Sequence, residues 1–368
     1  MSPKDFDVYS QQVEPSAQES ACDWRTAIGL QAVDGLTPSQ YLLDVAKRNI
    51  DGDVSIDEVK GLLDKYYQNK TSRTAAEEME EEADKVAVNI KKVLSSKTLA
   101  FNTNGFISIH RRIFDGVFKH AGKIRQYDIT KKEWVLRGES VQYLNWEDLR
   151  VALDYDIQQE REFSYKGLSE IDKVKHICRF VSGLWQIHPF REGNTRTTAV
   201  FLIQYLRSIG YDVTNNLFEK YSWYFRNALV RANYKSSKYG IDYDFSYLEN
   251  FFRNLLLNEK HELKNRFLLI NLPEELLPTD DKPTLTDDKV ASTDDKAMIN
   301  LEPTDDKSML ILNFIRERGE CKTSEITNYL KLKPTQTKYY LYKLVEEGKI
   351  IAKGANRNRT YVCNLKDV

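Results

Sequence analysis

The chain has 368 residues, with 54 basic against 55 acidic side chains and 41% apolar residues, a balance that excludes a surface binding nucleic acid throughout. Its first twenty residues show neither a basic n-region nor an apolar core, and no apolar run approaches the roughly 20 residues that span a bilayer, so neither signal peptide nor membrane contact is expected. Cys22, Cys178, Cys321 and Cys363 lack CxxC spacing, which points to reduced thiols of a cytoplasmic protein rather than a disulfide framework or zinc site.

The first twenty-odd residues read as polar and loose. Three short helices are predicted in the stretch from "RTAIGLQAVDG" to "LLDKYYQ", with Gly35 ending the first, Thr37 capping the second and "DGD" separating the second from the third. "TAAEEMEEEADKVAVNIKKVL" predicts a longer amphipathic helix, acidic where carboxylates suit the dipole. Helices dominate from Asn104 to about Ile270. One stretch differs: "QYDITKKEWVLRGESVQYL" is rich in β-branched and aromatic residues around Gly138 and predicts a hairpin.

Composition then shifts. Residues 274–307 carry 11 acidic and 4 basic side chains and three prolines, with TDDK repeated at Thr279, Thr286, Thr293 and Thr304. Such a segment buries too little to fold alone and reads as a linker. Residues 308–368 hold 12 basic and 6 acidic side chains in the order helix, helix, turn, helix and two strands, the order of a winged helix-turn-helix. Lys338 and Lys343 on its third helix, and Lys353, Arg357 and Arg359 on its wing, can meet the phosphates of duplex DNA. Winged helices also dock proteins, and both partners stay open. The expected divisions are 1–70, a helical segment; 71–273, a catalytic domain; the linker 274–307; and 308–368.

The most informative stretch is "IHPFREGNTRT", wedged between two apolar helical runs. Gly193, Asn194, Thr195 and Arg196 open a helix, where free backbone N–H groups and the positive dipole end suit an anion. Arg196 adds a fork for phosphate oxygens. Glu192 is a hard oxygen ligand of the kind Mg²⁺ takes when phosphates also hold it. His188 can remove a proton from an attacking hydroxyl. Together these residues make a phosphoryl- or nucleotidyl-transfer site; any one alone would be an ordinary core histidine or surface ion pair.

At these residues the chain resembles the Fic family, whose motif is HxFx(D/E)GN(G)RxxR. "HPFREGNTRTTA" matches at His188, Phe190, Glu192, Gly193, Asn194 and Arg196. The resemblance spans roughly residues 100–260. It implies a mainly α fold with a small hairpin flap, and transfer of AMP from Mg·ATP to a Ser, Thr or Tyr hydroxyl of a target protein or of the chain itself. His188 would be the general base, Glu192 the Mg²⁺ ligand, and residues 193–196 the phosphate cradle over Phe190. The flap, Lys131 to Tyr143, would hold the target in extended form by strand addition. Tyr224, Asn227 and Asn233 are polar candidates near the base or ribose. Homo-oligomerisation stays open.

The chain departs from the motif twice. Thr195 replaces a glycine, and Ala199 stands where the second arginine holds the γ-phosphate or pairs with an inhibitory glutamate. The segment "LQAVDGL" resembles the family's inhibitory motif, (S/T)xxxE(G/N), with Leu30 and Asp34 at its two defining positions. Asp34 is one methylene short and its usual partner is missing, so weak autoinhibition is expected. Two further readings compete: a Fic-fold kinase, and a DNA-binding regulator whose core only senses nucleotide.

Overall fold

The computed structural model describes residues 15–271, apart from 71–73, 97 and 215, and part of 311–364. Two compact units divide the chain, Met1–Asp295 and Lys296–Val368. The expected linker lies outside the described residues. The protein is mostly helical, with one small sheet.

Helix α1 (Pro15–Gly29) begins earlier than its polar sequence suggests. Ala21 and Trp24 bury one face, and Trp24 Nε1 donates to Asn49 Oδ1 at 2.9 Å. The buried carboxylate of Asp23 meets Arg207 at 2.9 Å and Lys91 at 3.5 Å, so three elements close around it. A 3₁₀ turn (Leu30–Asp34) follows, ended as expected by Gly35 in left-handed conformation.

Helix α2 (Gln40–Ile50) is capped by Ser39 and not by Thr37. Ser39 is further held from both its amide and its hydroxyl by the buried carboxylate of Asp84. Helix α3 (Ile56–Gln68) and helix α4 (Ala75–Leu94) each start with a capping box, at Ser55 and Thr74. The N-terminal helices share one apolar core with everything up to Ile270.

Helices α5 (Thr103–Ile113), α6 (Leu149–Glu162), α7 (Glu170–Ile187), α8 (Asn194–Ser208), α9 (Leu217–Ala232) and α10 (Ser246–Leu257) complete the unit. Every residue of α8 from Asn194 to Leu206 is buried, so its start is enclosed by the other helices. The predicted hairpin has no strand ladder. Residues 126–145 instead fold around a 3₁₀ turn (Trp134–Leu136), where Glu133 N donates to Glu139 O and Gly138 N to Glu133 O. Local bonds take up the carbonyls of Glu133, Trp134 and Leu136, and Ile270 N takes Val135 O, so none of these is left for a ladder.

In the second unit β1 (Glu320–Lys322), β2 (Ile350–Lys353) and β3 (Thr360–Cys363) form an antiparallel sheet in the order β1-β3-β2, with α11 (Thr323–Leu330) following β1. Strand β1 adds to the two strands expected. Ile311, Ile315, Ile326, Leu341 and Ile350 make a separate core. Lys353 is exposed; Lys338, Lys343, Arg357 and Arg359 lie outside the described residues.

Candidate active site

The α7–α8 turn carries the motif, and its geometry starts with His188. This residue ends α7 in left-handed conformation, φ 49° and ψ 58°, which a non-glycine residue adopts only when neighbours hold it. Arg125 supplies that hold. Its side chain donates from Nε to His188 O at 2.9 Å, and its amide donates to Pro189 O at 2.9 Å. The imidazole is 3% exposed. Its Nδ1 lies 3.3 Å from Trp185 O, so the proton sits on Nδ1 and Nε2 is left as the basic nitrogen. Burial, then the charge of Lys131, pushes the ring well below the usual histidine range and keeps it neutral.

The rest of the loop is fastened from within. Asn194 accepts from Phe190 N at 2.9 Å and donates to Phe190 O at 2.7 Å, closing the turn with one side chain. Phe190 is wholly buried against His110, ring centroids 3.7 Å apart. His110 accepts from Gly122 N at Nδ1 (2.8 Å), so its Nε2 donates to Glu192 O at 3.0 Å. Burial lowers the His110 pKa to about 3, which keeps this donor–acceptor pair intact. Gly193 caps α8 in left-handed conformation with no side-chain cap, and a Cβ there would lie 2.1 Å from the Phe114 ring. The first amides of α8 therefore keep the character of an anion site.

The structure places the remaining candidates as follows. The Thr195 hydroxyl accepts from Trp185 Nε1 at 2.9 Å, so this side chain is turned onto α7. Ala199 is fully buried. Tyr224 donates to Tyr247 O, Asn227 to Asn265 Oδ1, and Asn233 to Ser182 O and Leu229 O, so all three are engaged in packing α9. The Glu192 carboxylate lies 3.5 Å from Lys131 Nζ of the 126–145 loop. Among the described residues no three ligand-type side chains cluster. One half-exposed carboxylate is a fit for Mg²⁺ arriving with a phosphate ligand, and not for a resident metal.

Arg196 has the least expected surroundings. Its Nη1 donates to Gln31 Oε1 at 3.1 Å and its Nη2 to Glu82 Oε1 at 2.9 Å, while Nε lies 2.7 Å from Asp34 Oδ2. The Asp34 contact is close but off the N–H axis, a charge contact rather than a hydrogen bond. The guanidinium stacks over Phe114, 4.8 Å from the ring centroid. Asp34 thus has a partner despite Ala199: it reaches the motif's own arginine. Glu82 and Gln31 were missed from sequence, and only the acidic run at the start of α4 hinted at the former.

A second buried cluster borders His188. Tyr143 lies with its ring centroid 4.3 Å from that of His188, and its hydroxyl donates to Glu133 at 3.0 Å. The other oxygen of Glu133 lies 2.8 Å from Arg226 Nη1 of α9. A groove of about 690 Å³, lined by Arg231, Tyr247, Arg266 and Phe267, holds none of the motif residues.

A buried helix start, a fixed neutral imidazole and a single carboxylate thus meet at one turn of a helical core. Residues 100–206 match the Fic/DOC family, and over them the chain resembles that family. Residues 307–360 match the family described as FaeA-like protein. The chain is 27% identical over 136 residues to protein adenylyltransferase VbhT of Bartonella schoenbuchensis, covering 37% of this chain and 26% of that one. It is 30% identical over 126 residues to the probable protein adenylyltransferase y4lH of Sinorhizobium fredii, covering 34% and 62%. These matches span less than two thirds of either relative. A Fic family protein from Desulfovibrio desulfuricans, solved by crystallography, aligns with 14% identity and a TM-score of 0.45, covering 100% of this chain and 94% of that one.

Proposed function

We propose that the chain is a protein adenylyltransferase, moving AMP from Mg·ATP to a hydroxyl of a protein side chain. The observation that carries this reading is the left-handed His188, held neutral with Nε2 as its basic nitrogen beside the start of α8, which no side chain caps. In the reaction Nε2 takes the proton of the target hydroxyl as its oxygen forms a bond to the α-phosphorus. The bond from that phosphorus to the pyrophosphate oxygen breaks, and pyrophosphate leaves. The α8 amides and Arg196 stabilise the charge on the phosphates. Mg²⁺, held by Glu192 and the nucleotide, would neutralise phosphate charge. The names of the relatives support the reading. The target docks along the 131–143 flap, and the chemistry belongs in the cytoplasm; no described helix is long and apolar enough to cross a membrane.

In the arrangement described, two carboxylates already occupy Arg196, so an incoming triphosphate must displace them. Asp34 and Glu82 together act as an intramolecular competitor for the cradle. The test of the reaction is incubation with Mg²⁺ and ATP labelled at either the α or the γ position. The α-label should appear on protein with the native chain and vanish with His188→Ala; the γ-label on protein would mean kinase chemistry instead.

A second activity follows from the charge of residues 308–368, 12 basic against 6 acidic. This unit binds duplex DNA as a winged helix, with an affinity that falls steeply with salt. Equal retention of the chain on DNA at low and high salt would rule this out.

A further inference from the structure

Resting on the adenylyl-transfer reading, we propose that Arg226 is a positioning residue that, through Glu133 and Tyr143, fixes the 131–143 flap over the general base. The flap packs Val135, Leu136 and Val141 into the core and takes one bond from Gln186 at Gln142 O, but few other polar contacts set its position. It lacks a strand ladder, and its backbone bonds are mostly internal: Glu133 N to Glu139 O, Gly138 N to Glu133 O and Lys131 N to Ser140 Oγ. Its backbone reaches outward at Val135 O, which accepts from Ile270 N at 2.9 Å.

Glu133 is the flap residue whose charge is turned inward, 1% exposed. A buried carboxylate needs a countercharge, because desolvation otherwise costs several kcal/mol. Arg226 Nη1 supplies it at 2.8 Å from one oxygen, and the Tyr143 hydroxyl donates to the other at 3.0 Å. Burial and the Glu133 charge raise the Tyr143 pKa, so its hydroxyl keeps the proton it donates. The same Tyr143 ring packs on His188, centroids 4.3 Å apart, and edge-on to Trp185 at 5.8 Å. Trp185 in turn donates to Thr195 at the start of α8. The order is therefore Arg226, Glu133, Tyr143, His188: a relay from α9 through the flap to the base.

A buried ion pair of this kind adds little net stability and is best suited to setting geometry. No motif residue supplies that function, and Ala199 stands where the motif has its last arginine.

The test combines exchange and kinetics on the full chain. In Arg226→Met, amide hydrogen exchange across 131–143 should rise about tenfold while that of α7 and α8 is unchanged. Turnover should fall up to about 100-fold with the ATP KM nearly constant, as expected for a misplaced target and base. Arg226→Lys, which keeps a cation for Glu133, should recover most of both. Should Arg226→Met fail to fold, Glu133→Gln replaces it, since it removes the charge but keeps the volume and an acceptor for Tyr143. Native flap exchange in either variant overturns the proposal, as does an equal loss in Arg226→Lys and Arg226→Met. If the native chain transfers no α-label, the reaction reading fails, while the exchange measurement still decides whether Arg226 anchors the flap.

Discussion

The motif turn and the flap face each other across His188, yet they are built in opposite ways. The turn, residues 188–196, is fastened at nearly every residue: Asn194 closes on Phe190, Arg125 holds His188 and Pro189, and His110 holds Glu192. The flap is fixed by partners far along the chain, Arg226 on α9 and Glu192 and Ile270 at its sides. Many contacts on few residues make a rigid catalytic element, and a few contacts on a longer loop make one that can change partners. Rigidity suits the base and the phosphate cradle; adjustability suits the surface that receives a varied protein target.

If the turn is the catalytic half, substitutions there should have the largest effects. His188→Ala should lower α-label transfer by roughly 10³-fold, the size expected for losing a general base, with ATP binding by calorimetry retained. Loss of ATP binding together with transfer would mean that the imidazole serves the cradle rather than the proton. Gly193→Ala tests the rigidity itself. The added Cβ meets Phe114 at 2.1 Å on a residue with φ of 76°, so unfolding free energy in denaturant should drop by about 2–4 kcal/mol. A drop under about 0.5 kcal/mol, the scale of a surface change, would show the turn to be looser than described.

Legibility followed the same division. His188, Glu192, Gly193, Asn194 and Arg196 could be picked out because their chemistry and spacing lie within nine residues. The helices before and after them were legible from periodicity. What sequence could not give is the partner of each side chain. Asp34 was recognised, but its partner was sought at Ala199; the fold brings it to Arg196, one helical turn earlier. The hairpin was misjudged because β-branched and aromatic residues in 126–145 are used for core contacts, while the carbonyls of Glu133, Trp134 and Leu136 are taken up by local bonds. Arg226 and Glu133 carry no local signal at all. Their significance comes from meeting across some ninety residues of chain.

The clamp joins the two halves and can be broken separately. Asp34 and Glu82 share one guanidinium, so removing Asp34 leaves Glu82 in place. Asp34→Ala should tighten ATP binding about fivefold, and the double variant with Glu82→Gln by up to about 100-fold, the usual range of coupling between competing contacts. Transfer at saturating ATP should change little in either. Unchanged ATP affinity in the double variant would show that the carboxylates do not compete with nucleotide.

The smallest effect concerns the charge that the flap places over the base. His188 is depressed first by burial and then by Lys131, with Arg226 and Arg125 adding to the same direction. Each cation disfavours a second proton on the ring, so removing one must raise the pKa. In Lys131→Met the histidine titration followed by nuclear magnetic resonance should move upward by less than about one unit, because desolvation remains. The acid limb of the transfer rate should move to higher pH by the same amount, since the protonated ring cannot act as base. An unmoved titration would mean that the charge of Lys131 does not reach the ring, and that the flap and the base are electrostatically separate.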